Sequence, residues 1–462
     1  MARYEYDGKF WTIVRSVSVV TITQGKLGNK GRTSTLHHAT PAEAIARHDA
    51  LVVEKQREGY RLAETATTSA PADAGTEPPT SDDAHGAALE AAIADDPDDA
   101  QAYAVYGDWL QRRGDPRGEL IALQLAAAAE AARPGAKPAK SPRSATTIAV
   151  GKHLAKHAPR LLGDLARLVR DLRDPAAPPL IWGNGFIRRV ELASEAGRPL
   201  ADAVAEILAH PSGRFVVELA LRATAPTDAA EVVAKLAHRA PASLRELDLF
   251  ARVPLKTLDR LWPRVARLRR LTVTAPNFKL GDLELPALER ARFLAGSMSS
   301  EAIRSIADAP WPVLERLEIR FCGRYGSSKA DFHDLRTLLQ RDDLPKLTHL
   351  RLRGAPFAGA ITRTLIDAPI GDQLQVLDLA NGNVSPADLQ HLARHAGAFS
   401  SLKEIWLHFD HLTQAMQPAL AGVAKHVLSD ARAPVDMLDE DLRDDRPGEA
   451  NPDDDRYDGI RE

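Results

Sequence analysis

From about residue 183 to residue 425 the apolar positions obey one rule. The pattern apolar-x-x-apolar-x-apolar recurs, beginning at Ile187, Val216, Leu244, Leu268, Leu288, Leu314, Leu347, Leu374 and Leu402. Leu244-Arg245-Glu246-Leu247-Asp248-Leu249 and Leu374-Gln375-Val376-Leu377-Asp378-Leu379 are its clearest copies. Successive starts lie 29, 28, 24, 20, 26, 33, 27 and 28 residues apart. The closing alternation of each copy has the two-residue period of a strand. The segments between copies show helical spacing where they are readable. Ala201–Ala209 and Ala229–Ala237 are examples, and Ser385-Pro386-Ala387-Asp388 caps Leu389, Leu392 and Ala393. One short strand and its return segment cannot cover their own apolar face, whereas nine stacked turns bury a continuous core. The fifth copy is the weakest, because Ala291 occupies an anchor position.

These intervals resemble those of leucine-rich repeats, so a horseshoe-shaped solenoid is expected over residues 183–429. In that repeat class an Asn or Cys commonly ties the turn backbone. Cys322, eight residues after Leu314, stands at such a position and is read as structural. Residues alternating with the anchors point away from the core and would line the concave face. Read along the stack they run Arg189 and Glu191; Glu218 and Arg222; Glu246, Asp248 and Phe250; Arg270; Arg290 and Arg292; Arg316, Glu318 and Arg320; His349, Arg351 and Arg353; Asp378; then Glu404, Trp406 and His408. The centre is strongly basic. Arg270, Arg290, Arg292, Arg316, Arg320, His349, Arg351 and Arg353, with Trp406 beyond them, are the candidate partner-binding residues. Guanidinium suits carboxylates and phosphates alike. Two explanations stand side by side: an anionic partner offsets the mutual repulsion, or the arginines pair with residues on neighbouring turns.

The N-terminal 64 residues are organised differently. Phe10–Val14, Val17–Thr23 and Arg32–His37 read as strands. Thr40-Pro41-Ala42-Glu43 then opens a helix that Gly59 ends. Lys9-Phe10-Trp11, the glycine-centred turn, the Pro41–Gly59 helix and Glu54-Lys55…Gly59-Tyr60 together resemble a WGR domain. The resemblance implies contact with DNA near a strand end through the tryptophan and arginine of the name-giving motif. Gln24-Gly25-Lys26 occupy those positions here, so the stacking ring, worth about 1–3 kcal/mol per base, is absent. Lys26 keeps the charge without the planar fork. Gln24, Lys26, Lys30 and Arg32 are the candidate nucleic-acid contacts.

Between these parts, residues 86–182 read as helical. The run Asp95-Asp96-Pro97-Asp98-Asp99 separates two helices, and Asp115-Pro116 opens a third. Tyr106 and Trp109 are expected core anchors. Asp108–Leu120 resembles the signature of a repeat-companion domain of myxobacteria and planctomycetes, which often precedes leucine-rich repeats. Residues 133–173 carry ten Lys or Arg against two acidic residues. His153/His157 and His391/His395 have the i,i+4 spacing of metal ligands, but no further ligands stand nearby, so solvated helix faces are expected instead.

Composition narrows the function. The chain has 462 residues, a net charge of −3 and one cysteine, which excludes a disulfide framework. Residues 430–462 hold 13 acidic against 5 basic side chains and few large apolar ones, the pattern of a disordered tail able to fold back over the arginines. Ala63–Gly86 is poor in apolar bulk, which places a flexible linker at residues 65–85. No signal peptide, membrane span, nucleophile elbow, phosphate loop or metalloprotease motif is visible. The expected architecture is a multi-domain α+β / α/β protein: WGR-like domain 1–64, linker 65–85, helical module 86–182, leucine-rich-repeat solenoid 183–429 and acidic tail 430–462. The expected function is a cytoplasmic, non-enzymatic scaffold without cofactor or metal, binding a protein with an acidic surface. The rival is a nucleic-acid-associated protein that uses the basic turn and basic segments on phosphates.

Overall fold

The computed structural model describes residues 2–16, 19–26, 31–37, 47, 50–55, 57–62, 81–132, 144–169, 179–195, 198–225, 227–321, 328–408 and 417–430. The Thr40–Glu43 cap, Lys30, Cys322, most of the linker and the acidic tail beyond Asp430 lie outside them. The chain divides into two compact units, Met1–Thr80 and Ser81–Glu462.

The first unit is an antiparallel sheet of β1 (Ala2–Tyr6), β2 (Lys9–Ser16), β3 (Val19–Lys26), β4 (Arg32–His37) and β5 (Arg61–Leu62). Its order is β4-β3-β2-β1-β5. β1 and β5 add to the three strands expected from the sequence. Asp7 and Gly8 both take positive φ (48° and 68°), which lets a two-residue turn match the strand twist and pair Tyr6 with Lys9. Tyr4, Trp11, Ile13, Val20 and Leu51 form the core. Trp11 is therefore a packing residue, with its ring 5.4 Å from that of Tyr4. Residues 50–55 are helical, and Gly59 leaves that helix at φ +92°.

The second unit is a mixed α/β structure built on one large sheet. Its strands are β6 (Leu180–Gly183), β7 (Phe186–Ala193), β8 (Glu218–Ala223), β9 (Glu246–Ala251), β10 (Arg270–Ala275), β11 (Arg290–Ala295), β12 (Arg316–Arg320), β13 (His349–Arg353), β14 (Val376–Asp378), β15 (Glu404–His408) and β16 (His426–Asp430). They lie side by side in strict chain order. β6 is antiparallel to β7, and every later neighbouring pair is parallel. All nine repeats read from the sequence supply a strand, β7 to β15. β6 and β16 are two strands more.

The anchors explain this order. Leu219, Leu247, Leu271, Ala291, Leu317, Leu350, Leu377 and Ile405 occupy one register line and are all buried. The return helices Leu200–Ala209, Asp228–Arg239, Ser300–Asp308, Phe332–Leu339, Ala358–Ile366 and Pro386–Arg394 bury their apolar sides in the same core. Pro386–Arg394 has the capping box expected at Ser385 and Asp388.

Among the described residues four α-helices precede the sheet: Ser81–Asp95, Ala100–Arg112, Pro116–Ala131 and Ala145–Leu161. The first starts inside the stretch read as linker, whose small residues conceal it. Gly86 is needed there, since a Cβ would stand 2.6 Å from the Trp109 ring. Asp99 and Asp115 cap the next two helices by accepting from Gln101 N and Arg117 N. Tyr103, Tyr106 and Leu110 bury against Phe186 and Phe215. Leu120, Val150, Leu154 and Leu161 belong to the core of the sheet itself. Arg245 ties the two parts together: it donates to Ala94 O at 3.0 Å and Asp95 O at 2.9 Å, at the end of the first helix.

Candidate functional site

The side of the sheet opposite the buried anchors carries three parallel rows of side chains. Register fixes their members. The first row reads Arg189, Glu218, Glu246, Arg270, Arg290, Arg316, His349, Val376, Glu404 and His426. The second reads Glu191, Ala220, Asp248, Thr272, Arg292, Glu318, Arg351, Asp378, Trp406 and Leu428. Arg320 and Arg353 are neighbours in the third row. The arginines that the sequence placed outward thus share one face, and they fall into rows of different electrostatic character.

The first row sets Arg270, Arg290 and Arg316 directly beside one another on β10, β11 and β12, with His349 next on β13. Like charges at paired positions of a sheet are destabilising, so this arrangement works against the fold that carries it. The second row alternates in sign from Arg292 through Glu318 and Arg351 to Asp378. Arg292 Nε donates to Glu318 Oε2 at 3.0 Å, and Arg353 Nε donates to Asp378 Oδ2 at 2.8 Å. Arg270 pairs with Glu246 at 3.0 Å. Part of the positive charge is therefore met from within. Glu246 and Asp378 do this alongside Glu318, a role that needed the register to become visible.

Glu318 is the electrostatic centre. Burial alone would raise its carboxyl, but Arg292, Arg351, Arg320 and Arg353 outweigh that and hold it down at about 2. It stays ionised under all ordinary conditions. On the N-terminal side of the face the balance reverses. Burial chiefly pushes the Glu191 and Glu246 carboxyls up, and Glu218 adds to it in both cases.

A depression of about 240 Å³ opens on the central strands. Arg270, Thr272, Arg290, Arg292, Arg316, Glu318, His349 and Arg351 line it, over a floor of Leu271, Ala291 and Leu317. Arg320, Arg353 and Trp406 do not line it. Trp406 stands beside Asp378 on β15, and its ring NH donates to Glu404 at 3.4 Å. Sequence reasoning passed over Thr272, an uncharged residue that alternates with the anchors Leu271 and Val273 and pairs with Arg292.

In the first unit, Gln24 and Lys26 end β3, and Gln24 pairs with Arg32 on β4. Gln24, Lys26 and Arg32 are exposed. The glycine between them has a packing cause. A Cβ at Gly25 would stand 2.7 Å from Gly31 Cα, and one at Gly31 2.7 Å from the Phe10 ring. Gly31 also takes φ +70°.

The histidine pairs are engaged by the protein. His153 Nε2 lies 2.8 Å from Pro116 O and Nδ1 3.5 Å from Glu119. His395 Nδ1 lies 2.9 Å from His391 O. Among the described residues no three metal-capable side chains gather, and no helix is long and apolar enough to cross a membrane.

Residues 5–67 match the model of the WGR domain, so the first unit is a WGR domain. No curated protein matches the chain. Several solved structures are distantly similar, two of them as follows. One is a protein from Bacteroides fragilis, with 15% identity, a TM-score of 0.43 and coverage of 95% of this chain and 99% of its own. The other is the leucine-rich repeat-containing protein LegL7 from Legionella pneumophila, with 14% identity, a TM-score of 0.28 and coverage of 52% of this chain and 88% of its own.

Proposed function

We propose that this chain is a non-enzymatic interaction protein whose strand-by-strand stack is a leucine-rich-repeat solenoid. Its open face binds an acidic group on a protein partner in the cytoplasm. One observation carries this reading: Arg270, Arg290 and Arg316 stand in register on three adjacent strands, at the rim of a depression with room for a ligand group. Like charges directly opposite one another in a sheet are destabilising, and an incoming anion would offset that repulsion. Leu120, Leu154 and Leu161 of the helices before β6 are buried in the core of the stack, as a terminal cap requires.

The test is affinity capture from a cell extract with the wild-type chain beside Arg290→Glu/Arg316→Glu. The expected outcome is a partner retained by the first and lost by the second. Identical retention on both would remove the reading.

The WGR domain favours a second reading, in which exposed Lys26 and Arg32 meet DNA phosphates. Duplex and single-stranded DNA titrated across a range of salt would then show affinity falling steeply with ionic strength. Lys26→Ala/Arg32→Ala would flatten that slope.

A further inference from the structure

β16 stands at the C-terminal edge of the large sheet. Its one strand neighbour among the described residues is β15, and the pairing is parallel and regular along the whole strand. His426 N donates to Lys403 O at 2.8 Å. The backbone groups of a strand alternate sides, so His426 and Leu428 turn theirs to β15 while Val427 and Ser429 turn theirs outward. Among the described residues nothing bonds to these outward groups.

Open edges are commonly blunted by a proline, a bulge or a charge set inside the strand. His426-Val427-Leu428-Ser429-Asp430 contains no proline and no bulge, and its interior carries no charge. Val427 and Leu428 are half-buried, and Ser429 is exposed. The N-terminal end of the stack differs, since Leu120, Leu154 and Leu161 of the preceding helices are buried in its core. The last strand is therefore a template for pairing with a strand from outside.

The residues of β16 say which strand fits. Turned antiparallel about Leu428, Val427 faces the partner's Ser429, and Ser429 faces the partner's Val427. In such hydrogen-bonded pairs each residue both donates and accepts, so every outward N–H and C=O of both strands is used. A shift of two residues sends Val427 or Ser429 opposite a residue outside β16. On the open face the same register sets Leu428 against the partner's Leu428 and His426 against the partner's Asp430. An apolar centre then lies between ends of complementary polarity.

We infer that β16 is a self-pairing edge through which two copies of this chain join their sheets as an antiparallel, two-fold dimer. The axis stands perpendicular to the sheet, so both open faces look to the same side. The dimer thereby offers a repeated surface to a partner with repeated groups. The inference does not depend on what the open face binds. One strand pair falls short of the roughly 1,200 Å² of a stable interface, so the dimer exchanges with monomer.

The test is sedimentation equilibrium of the full chain at rising concentration. The wild-type chain should pass from monomer to dimer and stop there. Ser429→Pro removes an outward N–H, at the kind of position where an edge strand accepts proline, so the monomer should melt as wild type does. Both copies lose a bond, and the dimer should weaken at least about tenfold. Leu428→Lys and Leu428→Asp check the axis without proline. Each alone sets like charges against one another and should remain monomeric, whereas an equimolar mixture of the two should associate. A wild-type chain that stays monomeric, or one that grows past the dimer, overturns the inference. So does a dimer indifferent to Ser429→Pro, or a mixture no more associated than its components.

Discussion

At the scale of single residues the decisive group is Glu318. Its position was legible as an outward residue among arginines, but its effect depends on neighbours at paired positions of β11 and β13, which a single strand cannot reveal. Removing the charge while keeping the shape, Glu318→Gln, should cost about 3 kcal/mol, the low end for breaking a buried pair, because Arg292 is partly exposed and can turn to water. Urea unfolding measures this, and an unchanged midpoint would contradict the account. The pH dependence has a fixed sign. The folded carboxyl titrates near 2, below the ordinary carboxylate value of 4.5, so its stabilisation is complete above that value. It should fade as the pH falls from there towards 2, and Glu318→Gln should lose this part of the acid sensitivity.

At the scale of elements, what could be read from the sequence follows how strongly each segment repeats the rule. Nine strands were found because leucine or its equivalents returned at three anchors. β16 escaped because Ser429 stands where the last apolar anchor belongs. β1 and β5 escaped because one is five residues long and the other two. The two intervals around β10 carry no α-helix and are the shortest, 24 and 20 residues from one start to the next. A 3-10 turn at Trp262–Arg264 and the buried Leu280, Leu283, Leu285 and Leu288 fill the space instead. β6 had an unused signal. Asn184 and Gly185 take φ of 52° and 82°, as a two-residue hairpin turn requires. Gly185 also lies against the helix Pro116–Ala131, where a Cβ would stand 2.3 Å from Ile121 Cγ1. Gly185→Ala should therefore destabilise the chain by more than about 2 kcal/mol, by strain and overpacking together. A melting temperature equal to wild type would show that the helix can yield.

At the scale of the whole molecule, the helices before β6 and the sheet share a core, although the sequence suggested separate modules. Leu120 and Leu154 belong to the same apolar cluster as Leu420 and Val423. Arg245 shows why a module boundary was hard to place. In the sequence it is an unremarkable position inside a repeat. In the fold it is buried and donates to the last carbonyls of Ser81–Asp95, while Arg267 reaches Ala94 O and Asp95 beside it. Burial first, then Arg267 and Arg269, lowers its affinity for the proton. Arg245→Met should leave Asp95 O without its donor, while Ala94 O keeps Arg267, and cost about 2 kcal/mol. Amide exchange in Ser81–Asp95 should quicken more than exchange in β13. A uniform change across both segments would mean that Arg245 does not couple them.

The polar face owes its pattern to the hidden one. The side chains of Leu317 and Ile319 are buried in the core, yet they fix where β12 sits against its neighbours. A slip of two residues would carry Glu318 into line with Arg290 and His349, breaking the cationic line with a carboxylate. Under the proposed reading of this face, recognition is a matter of alignment, like the teeth of a comb. A substitution deep in the hydrocarbon interior can therefore silence binding without touching a single charged group.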